Sequence, residues 1–311
     1  MEKAGYLLLK RIHIENANAI SSPITYGFPA VTGFLGAVHA LSRRLHVVAS
    51  AQKLALDGVL IACHDCRPQV YRQTPYSDYS FNQSRNPLLK SGKTASIVEE
   101  GKCHLSLSLG MELLAEKPIC KDQGAQLALQ VQEMLMQQRI AGGSVRGFGG
   151  HGFYRRESAH FFLPNDAWQM TKHLVPAFIL MEAKKDLEAL TAELQKNQPE
   201  ATALDALIDL ACLHHIPVEK NGSIGWQTRS AKTGRGWLVP MPLGYQGIAP
   251  AFAAGALANC RTDEYPAQYV ESVYGLGKWV FPHRIDDITK AFWRYQHQAE
   301  NDLYCVTQEE R

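Results

Sequence analysis

The sequence contains no long, uninterrupted apolar segment of the kind that crosses a membrane. Its longest stretch without a charged residue, residues 236–260, is broken by three prolines and several glycines, which argues against a spanning helix. Residues 1–9 hold a glutamate and a lysine around a short apolar run, so we expect no secretory signal. The seven cysteines are odd in number and scattered, as is typical of free thiols in a reducing compartment. We therefore expect a cytoplasmic protein with no membrane partner.

The sequence also lacks the common catalytic and cofactor motifs. It has no GxSxG motif, no HExxH motif and no cluster of carboxylates. Residues 92–94 (GKT) resemble the end of a phosphate-binding P-loop, but Pro87 occupies the position of that motif's first glycine. Residues 63–66 (CHDC) have the spacing of half a zinc site, without a second pair of matching spacing. We interpret these cysteines as buried thiols at a strand end, and predict no metal, no cofactor and no catalytic residue.

Charge is distributed unevenly along the chain, although the net charge of +2 is too small to identify a nucleic-acid-binding protein. Residues 1–160 hold 18 Lys and Arg against 12 Asp and Glu, whereas residues 161–311 hold 14 against 18. A basic half joined to an acidic half predicts that the first half binds a polyanion and that the second contacts a protein.

Apolar residues recur with the periods of strands and helices through the first half of the chain. They predict strands at residues 6–14, 54–63, 103–109 and 139–145, a helix with Thr32 as its N-cap and with Arg43 and Arg44 in its last turn, and a helix at residues 122–138. Strict alternation in the first strand would place Leu8 on one face with Ile12 and Ile14. The order β-α-β-β-α-β predicts an α+β fold with a ferredoxin-like core, which is also the topology of RNA-recognition motifs.

Two polar segments interrupt this pattern. Residues 15–23 hold asparagines and serines that can hydrogen-bond to nearby backbone, which favours a shaped loop. Residues 67–102 carry six Lys and Arg against three acids, with tyrosines interleaved. We expect this second segment to be an insertion that protrudes as a β-hairpin, with rings that either stack on bases or pack beneath the hairpin.

The second half of the chain has weaker periodicity. Leucine stripes predict that residues 172–212 are mostly helical, within a helical insertion at residues 165–215. The remaining segments are predicted as a flexible polar stretch (214–236), two extended stretches (237–245 and 269–280) and a final amphipathic helix (286–298).

Two glycine-rich segments are weak candidates for contact with nucleic acid. Residues 146–153 (RGFGGHGF) partly match the aromatic RNA-binding strand signature, but the match fails at Gly150 and His151. We interpret them as a basic loop. Residues 275–278 (GLGK) would let backbone N–H groups approach a phosphate beside a lysine, although a bulge or a turn gives the same pattern.

Motifs distributed in order along most of the chain resemble the Csy2 family, the Cas5-like subunit of type I-F CRISPR–Cas surveillance complexes. The matching segments are NANAISSP (16–23), GFP (27–29), TGFLGAVHAL (32–41), SRNPL (84–88), IVEEG (97–101), AGGS (141–144), WLVP (237–240), GLGKW (275–279) and PHR (282–284). The combination is specific, although each segment alone would not be.

The resemblance implies a single RAMP-type unit over residues 1–311, with a ferredoxin-like core, a thumb-like insertion (67–102) and the helical insertion. It further implies a non-catalytic subunit that binds CRISPR RNA. Members of the family form a heterodimer with the large subunit, and the two together hold the 5′ handle of the RNA. They also contact the first backbone subunit and cap the filament. The assembled complex reaches target DNA through guide pairing.

The residues expected to contact the RNA combine amides and hydroxyls, which can bond to splayed bases, with cations and open backbone, which suit phosphates. They are Arg11, Asn16, Asn18, Ser21, Ser22, His39, Arg43, Arg44, Arg85, Asn86, Lys93, Gly275, Gly277, Lys278 and Arg284.

Two other functions stay open at this point. His13 or His39, with Tyr26 nearby, would act as general acid or base if the chain were a metal-free endoribonuclease that processes repeat RNA. Alternatively, the chain would be a purely architectural bridge between the large subunit and the backbone.

We expect the purified chain to leave a CRISPR repeat RNA intact, because the sequence offers no catalytic motif. Gel analysis of the RNA after prolonged incubation without added metal checks this. Cleavage that disappears in the His13→Ala or His39→Ala variant would instead establish the endoribonuclease.

Overall fold

A computed structural model describes residues 1–48, 53–85, 87–149, 157–220, 222–260 and 262–309. The chain forms two compact units: Met1–Ile179 with Phe281–Phe292, and Leu180–Val280 with Trp293–Arg311. The single RAMP-type unit over residues 1–311 stays a prediction. None of the described helices is both long enough and apolar enough to cross a bilayer.

The first unit alternates long strands with two long helices. Its elements are β1 (Glu2–Asn18), β2 (Ile20–Ser22), β3 (Thr25–Tyr26), α1 (Val31–Val48), β4 (Leu54–Pro68), β5 (Val70–Tyr71), β6 (Ser80–Phe81), β7 (Gln83–Arg85), β8 (Ile97–Glu99), β9 (Lys102–Ala115), α2 (Lys121–Met136), β10 (Arg139–Ile140), β11 (Gly143–Phe148), β12 (Ala159–Phe162) and α3 (Met170–Leu174). Three-residue to six-residue 3-10 helices occur at Pro164–Gln169, Pro282–Arg284 and Ile288–Ala291.

These strands form an antiparallel sheet in the order β10-β11-β1-β9-β4. The central strand β1 pairs with β9 along one edge and with both β11 and β12 along the other. The ladder between β4 and β9 runs from Leu54 opposite Ala115 to Pro68 opposite Cys103. The strands predicted at residues 6–14, 54–63 and 103–109 are confirmed, and β1, β4 and β9 are each longer than expected. The single strand predicted at residues 139–145 is wrong, because this segment turns back on itself and forms two paired strands, β10 and β11.

The two long helices cover one face of this sheet. Phe34, Leu41 and Leu45 of α1 are fully buried, as are Ala128 and Leu135 of α2. The helical periodicity predicted for both segments is confirmed. Burial of such large apolar side chains stabilises the unit by roughly 1.5–3 kcal/mol each.

The helices also contact each other directly. The guanidinium of Arg44 donates to the carbonyl of Met134 at 3.0 Å and to Oε1 of Gln137 at 2.7 Å. This arginine joins α1 to the C-terminal end of α2. The two helices thus lie side by side on the face of the sheet that they cover. We call this the helix face, and the opposite side the open face.

Beyond Gly5, two β-bulges keep the apolar residues of β1 on the helix face. The register passes from Leu9 opposite Leu109 to Ile12 opposite Leu107, so β1 advances three residues while β9 advances two. A second bulge between Ile14 and Ala17 has the same effect. The prediction that Leu8 shares a face with Ile12 is therefore wrong, because each bulge shifts the phase of the alternation by one residue.

Three local predictions near the first helix are also wrong. Residues 15–18 belong to β1, and the rest of the expected loop forms the small β2–β3 ladder. Thr32 lies inside α1, which begins at Val31, so it is not the N-cap. Arg43 and Arg44 lie before the last turn, because the helix continues to Val48.

The segment predicted as one protruding hairpin is built differently. Its first two residues belong to β4 and its last residue to β9. Between them lie two short ladders, β5 with β6 and β7 with β8. We call residues 69–101 the excursion, because the chain leaves the end of the β4–β9 ladder and returns to it.

The second unit begins within the strand β13. Its elements are β13 (Phe178–Glu182), α4 (Lys184–Gln195), α5 (Ala203–Ala211), β14 (His214–Lys220), β15 (Ser223–Arg229), β16 (Trp237–Gly247), β17 (Val270–Val280), β18 (Arg294–Gln298) and β19 (Leu303–Thr307). Strand β16 pairs with β17 and with β19, which pairs with β18. The two predicted extended stretches are confirmed as β16 and β17.

The core of this unit joins α4 and α5 to the two long strands. The described cluster contains Ala183, Leu190, Ala206, Leu207, Leu210, Leu238 and Leu276. The indole N–H of Trp293, itself fully buried, donates to the carbonyl of Leu180 at 2.9 Å. This bond satisfies a polar group that burial would otherwise leave unpaired.

Three predictions for the second half need correction. The final helix is wrong: residues 288–291 form a 3-10 helix and 294–298 form β18. Phe292 and Trp293 are consecutive and both fully buried, a pattern that one face of an amphipathic helix cannot satisfy. Residues 172–212 include a strand, β13, and residues 214–220 and 223–229 form the paired strands β14 and β15 instead of a flexible stretch.

Replacing Leu109 by alanine is expected to lower the free energy of unfolding by about 2–5 kcal/mol, because this fully buried side chain leaves a cavity on the helix face. The matched control is Leu129→Ala on α2, where the leucine is 57% exposed, and there we expect a change within about 0.5 kcal/mol. Urea unfolding followed by circular dichroism measures both. Equal losses in the two variants would contradict this assignment of the core.

Candidate nucleic-acid interface

A groove with a volume of about 650 Å³, most of whose lining residues are charged or polar, lies on the open face of the first unit. We call it the sheet groove. Its lining comes from β1, β4, β9 and β11 and from Gly149 just after β11. The lining residues are Arg11, His13, Ile14, Glu15, His64, Asp65, Arg67, His104, Leu105, Ser106, Arg146, Gly147, Phe148 and Gly149.

Alternation along the strands explains why the groove is polar. In β9, Leu105 and Leu107 are buried, whereas His104 and Ser106 between and beside them are exposed or half-buried. His13 of β1 lies opposite Ser106, and Asp65 of β4 lies opposite the same serine. Because paired residues project to the same side of a sheet, these polar side chains share the open face.

The first bulge in β1 brings Arg11 into the groove. Arg11 has a backbone φ of 49°, in the left-handed region that an arginine adopts only at a cost. Its N–H donates to Oγ of Ser108 at 3.1 Å instead of to the β-ladder. Bulges commonly reorient a side chain at a functional site, and here the reoriented side chain is a cation. Within the described residues, its guanidinium has no ion-pair partner.

The other two arginines of the groove are held by acids. Nε of Arg67 lies 2.6 Å from Oδ2 of Asp65, and Nε of Arg146 lies 2.7 Å from Oε2 of Glu15. All four side chains are largely exposed, with at least 44% of each accessible. Exposed ion pairs contribute only about 0–1 kcal/mol. A phosphate can therefore replace either carboxylate at small cost.

His64 is the most strongly perturbed group in the groove. Its Nε2 lies 2.8 Å from Oγ of Ser108, while its Nδ1 is buried without a hydrogen-bond partner among the described residues. Burial lowers the pKa of His64 to about 4, and the positive charges of Arg11, Lys10 and His13 contribute to the same shift. The imidazole is consequently neutral at pH 7, at the edge of a site that already holds several cations.

A small polar network closes the groove at the excursion. The side-chain amide of Gln69 donates to Oδ1 of Asn16 at 2.6 Å and lies 3.0 Å from Nε2 of His104. Asn16 has a φ of 58° at the second bulge, and asparagine tolerates the left-handed region better than most residues. Amide groups positioned in this way can pair with the edges of bases.

The predicted residues Asn18, Ser21 and Ser22 hold the backbone instead of lining the groove. Oδ1 of Asn18 accepts from the N–H of Ile20 at 3.0 Å. The hydroxyls of Ser21 and Ser22 lie 2.8 and 2.6 Å from Oγ1 of Thr25. These bonds fix the β2–β3 turn, so the three residues support the shape of the segment that follows β1.

Predicted residues on the first helix and in the excursion also lie away from the sheet groove. His39 and Arg43 are exposed on α1, which covers the helix face. Arg44 is bonded to α2 as described above. Lys93 is exposed in the excursion. The backbone of Arg85 lies in β7, while its side chain and all of Asn86 fall outside the described residues.

The glycine-rich segment of the second unit does not form a phosphate cradle. Gly275 and Gly277 lie inside β17 and pair with Met241 and Val239 of β16. A Cβ at Gly275 would approach Leu243 to 2.2 Å, so close packing explains this glycine. Nζ of Lys278 lies 3.2 Å from Oδ1 of Asp186. Arg284 is exposed in a 3-10 helix of the first unit.

Of the predicted residues, the groove contains Arg11, and Asn16 lies at its end. Sequence reasoning missed Arg67, His104 and Arg146 as groove residues, and it treated His64 only as part of a cysteine motif. The alternation in β9 could have identified His104, because polar residues there alternate with buried leucines and so project to the opposite face of the sheet. Arg146 was assigned to a loop, but it belongs to β11.

The cysteines near the groove are free thiols. Cys103 is fully buried, and Cys63 and Cys66 are half-buried. Burial raises the pKa of Cys63 to about 12. Across the described residues, no group of three or more potential ligands is arranged to hold a metal ion.

We expect the stability of the protein to fall as pH is lowered from about 6.5 towards 4. The unfolded chain takes up a proton on His64 in this window, whereas the folded chain with its lowered pKa does not. The contribution of His64 to the free energy of unfolding is thus present above pH 6.5 and is lost as pH falls through the pKa of the folded state. Melting temperatures between pH 7 and pH 4.5 measure the slope. The His64→Gln variant should show a smaller change of melting temperature with pH, whereas the exposed-site control His39→Gln should show the wild-type change. Identical dependence in all three proteins would disprove the role of His64.

Comparison with known proteins agrees with the motifs. A family model described as CRISPR-associated protein (Cas_Csy2) matches residues 7–306. The chain is 37% identical over 313 aligned positions to the CRISPR-associated protein Csy2 of Pseudomonas aeruginosa (strain UCBPP-PA14). The alignment covers 96% of this chain and 93% of that protein. The resemblance drawn from the sequence is therefore confirmed, and the chain belongs to the Csy2 family of CRISPR-associated proteins.

Proposed function

We propose that this chain is a non-catalytic, RNA-binding subunit of a type I-F CRISPR surveillance complex in antiviral defence. Together with the large subunit it would hold the 5′ handle of the CRISPR RNA. The observation that carries the proposal is the sheet groove, where three arginines and three histidines line one surface formed by four neighbouring strands of the sheet. Single-stranded RNA is bound in this manner by proteins that expose a sheet face.

The strand order supports a ferredoxin-like, RAMP-type core. The four main strands occur as β11-β1-β9-β4 in space, and α1 and α2 connect them in the sequence order β-α-β-β-α-β. Both helices lie on the helix face. On the opposite face, Phe292 covers the region around Tyr6 and Gly110, and the sheet groove remains for a ligand. In RNA-recognition motifs, the equivalent face carries the RNA.

The electrostatics of the groove suit a phosphodiester backbone. Arg11 supplies a cation without an ion-pair partner in the described chain, and Arg67 and Arg146 exchange weak internal pairs for phosphates. Binding through such groups is sequence-independent and depends on salt. The network of Asn16, Gln69 and His104 at the end of the groove adds groups able to read base edges.

The positions of the candidate catalytic groups support a non-catalytic role. Nε2 of His13 lies 2.5 Å from the carbonyl of Gly149, so this ring nitrogen is engaged with backbone. His39 is exposed on α1, on the other side of the sheet. The ring of Tyr26 packs edge-on against Phe81, with centroids 5.5 Å apart. General acid–base catalysis needs its groups within reach of one proton, and these three serve separate contacts.

An architectural role is a second candidate, and the hairpin β14–β15 favours it. Ile224 and Trp226 on this hairpin are 74% and 72% exposed. Large exposed apolar side chains are enriched in contacts with protein partners. We propose that the second unit, which belongs to the acidic half of the sequence, faces the large subunit or the first backbone subunit. Target DNA is reached through the assembled complex.

The Arg11→Ala variant is expected to weaken RNA binding about equally for different sequences and to reduce the slope of log K against log salt by about 0.7, the value for one phosphate contact on a single strand. The matched control is Arg43→Ala, because Arg43 is exposed but lies on the helix side. Fluorescence anisotropy of labelled handle RNA with the heterodimer, at several salt concentrations, measures both.

Two outcomes would contradict the proposal. If Arg43→Ala weakened binding and Arg11→Ala did not, the RNA would lie on the helix side of the unit. If neither variant changed affinity or salt slope while assembly failed after disruption of the β14–β15 hairpin, the architectural role would be favoured.

A further inference from the structure

A second group of basic side chains lies beyond the end of the sheet groove. It consists of Lys10 on β1, His160 on β12 and His173 on α3, and all three are half-buried. Nζ of Lys10 lies 3.4 Å from Nδ1 of His173. The two imidazole rings are 4.3 Å apart between centroids. We call these three residues the basic cluster.

The fold places this cluster where two ladders meet. Strand β12 pairs with β1 from Tyr6 to Leu9, and β11 pairs with β1 from Ile12 to Glu15. Lys10 and Arg11 occupy the junction between the two ladders, at the first bulge. Arg11 lines the sheet groove, while the neighbouring Lys10 contacts His173, so the cluster continues the groove along the same strand.

The electrostatic couplings agree with this continuity. The positive charge of Lys10 lowers the pKa of His64 in the groove and also those of His160 and His173. One ammonium group is therefore near histidines on both sides of it. A negatively charged ligand passing from the groove to the cluster would meet the charges of Arg11 and Lys10 in succession, with neutral imidazoles beside them.

Both histidines of the cluster are held in the neutral form. Burial is the largest cause of the lowered pKa of His173, which falls to about 4, and the charges of His160, Lys10 and Lys172 lower it further. Burial and Lys10 also lower the pKa of His160. The carboxylate of Glu157 opposes both shifts, and the carbonyl of the same residue lies 3.1 Å from Nε2 of His160.

Such a cluster has the chemistry of an anion site. Mutual repulsion among the cations and desolvation disfavour protonation of the rings. A bound phosphate reverses that balance, since it attracts the ammonium and stabilises each imidazolium through a charge-assisted hydrogen bond. The nearby Glu157 would compete with the ligand for the same cations.

We propose that Lys10, His160 and His173 form a binding site for a phosphate group, and that this phosphate belongs to the RNA whose neighbouring nucleotides occupy the sheet groove. The second part of this assignment rests on the proposed function, whereas the first part does not. The site binds a tetrahedral phosphate and performs no reaction. The bound phosphate raises the pKa of both histidines, so binding is accompanied by proton uptake and weakens as pH rises through the raised values.

Histidine NMR on the full chain tests the phosphate site directly. The Cε1–H signals of His160 and His173 are assigned from the two single His→Gln variants and titrated with pH in chloride and in inorganic phosphate. We expect phosphate to raise the pKa of His173 by about one unit or more. In Glu157→Gln the competing carboxylate is gone, and phosphate should saturate the shift at a lower concentration. Titration curves that coincide in chloride and phosphate would overturn the proposal.

Variants at Lys10 test whether the ligand is RNA. In Lys10→Gln, the salt slope for handle RNA should fall by about 0.7 relative to the unmodified heterodimer. The control variant Lys53→Gln removes a lysine that pairs with Glu116 at 2.8 Å, next to the end of the β4–β9 ladder that lies away from the groove, and should leave the slope unchanged. Handle RNA should also shift the His173 signal in the same direction as inorganic phosphate.

The outcomes separate the two proposals. If RNA binds and Arg11→Ala weakens it, but neither phosphate nor RNA moves the His173 signal, the basic cluster is not a phosphate site and the groove stands. If inorganic phosphate moves the signal and RNA does not, the site serves a free or terminal phosphate, and the RNA assignment is wrong. If no RNA binds under any condition, the proposed function fails, while the titration with inorganic phosphate still decides whether the basic cluster binds phosphate.

Discussion

The phase of side-chain alternation along β1 is the constraint on which the first unit depends. A strand offers its residues to two faces in turn, and β1 must give leucine, isoleucine and alanine to the helices while it gives charge to the groove. Leu9, Ile12, Ile14 and Ala17 do not follow a strict period of two. The bulges at Arg11 and Asn16 absorb the two extra residues. Without them, the later half of the strand would present its apolar side chains to the open face.

The same constraint explains what could be predicted from the sequence and what could not. The buried leucines of β9 and the helical stripes of α1 and α2 are regular, so composition and spacing are sufficient to find them. The bulges are invisible in a single sequence, because they depend on register with β9. For that reason Arg11 was identified as a cation but assigned to the wrong pattern, while His64, Arg67 and Arg146 became neighbours only through strand pairing.

Errors in the second unit have a different origin. Phe292 and Trp293 are adjacent apolar residues, and helical spacing through Ile288 and Tyr295 favours a helix as long as tertiary contacts are ignored. In the structure both rings are fully buried, and a strand follows them. Likewise, polar residues predominate at 214–229, and the alternating pairs Ile216/Val218 and Ile224/Trp226 are too short a signal to predict the hairpin that the structure shows. In neither segment does the local sequence indicate the observed strands strongly enough to outweigh the predicted helix or the predicted flexible stretch.

The acids of the groove have a consequence for the order of events in assembly. Asp65 and Glu15 neutralise two of its arginines as long as no ligand is present, so the empty surface attracts passing polyanions less strongly than its arginine content suggests. A ligand gains both cations only when it displaces both carboxylates at once, which a long, correctly placed strand does better than a short fragment. If the groove binds RNA as proposed, it would favour a long contact over a short one, because only a ligand that reaches both arginines can replace both carboxylates.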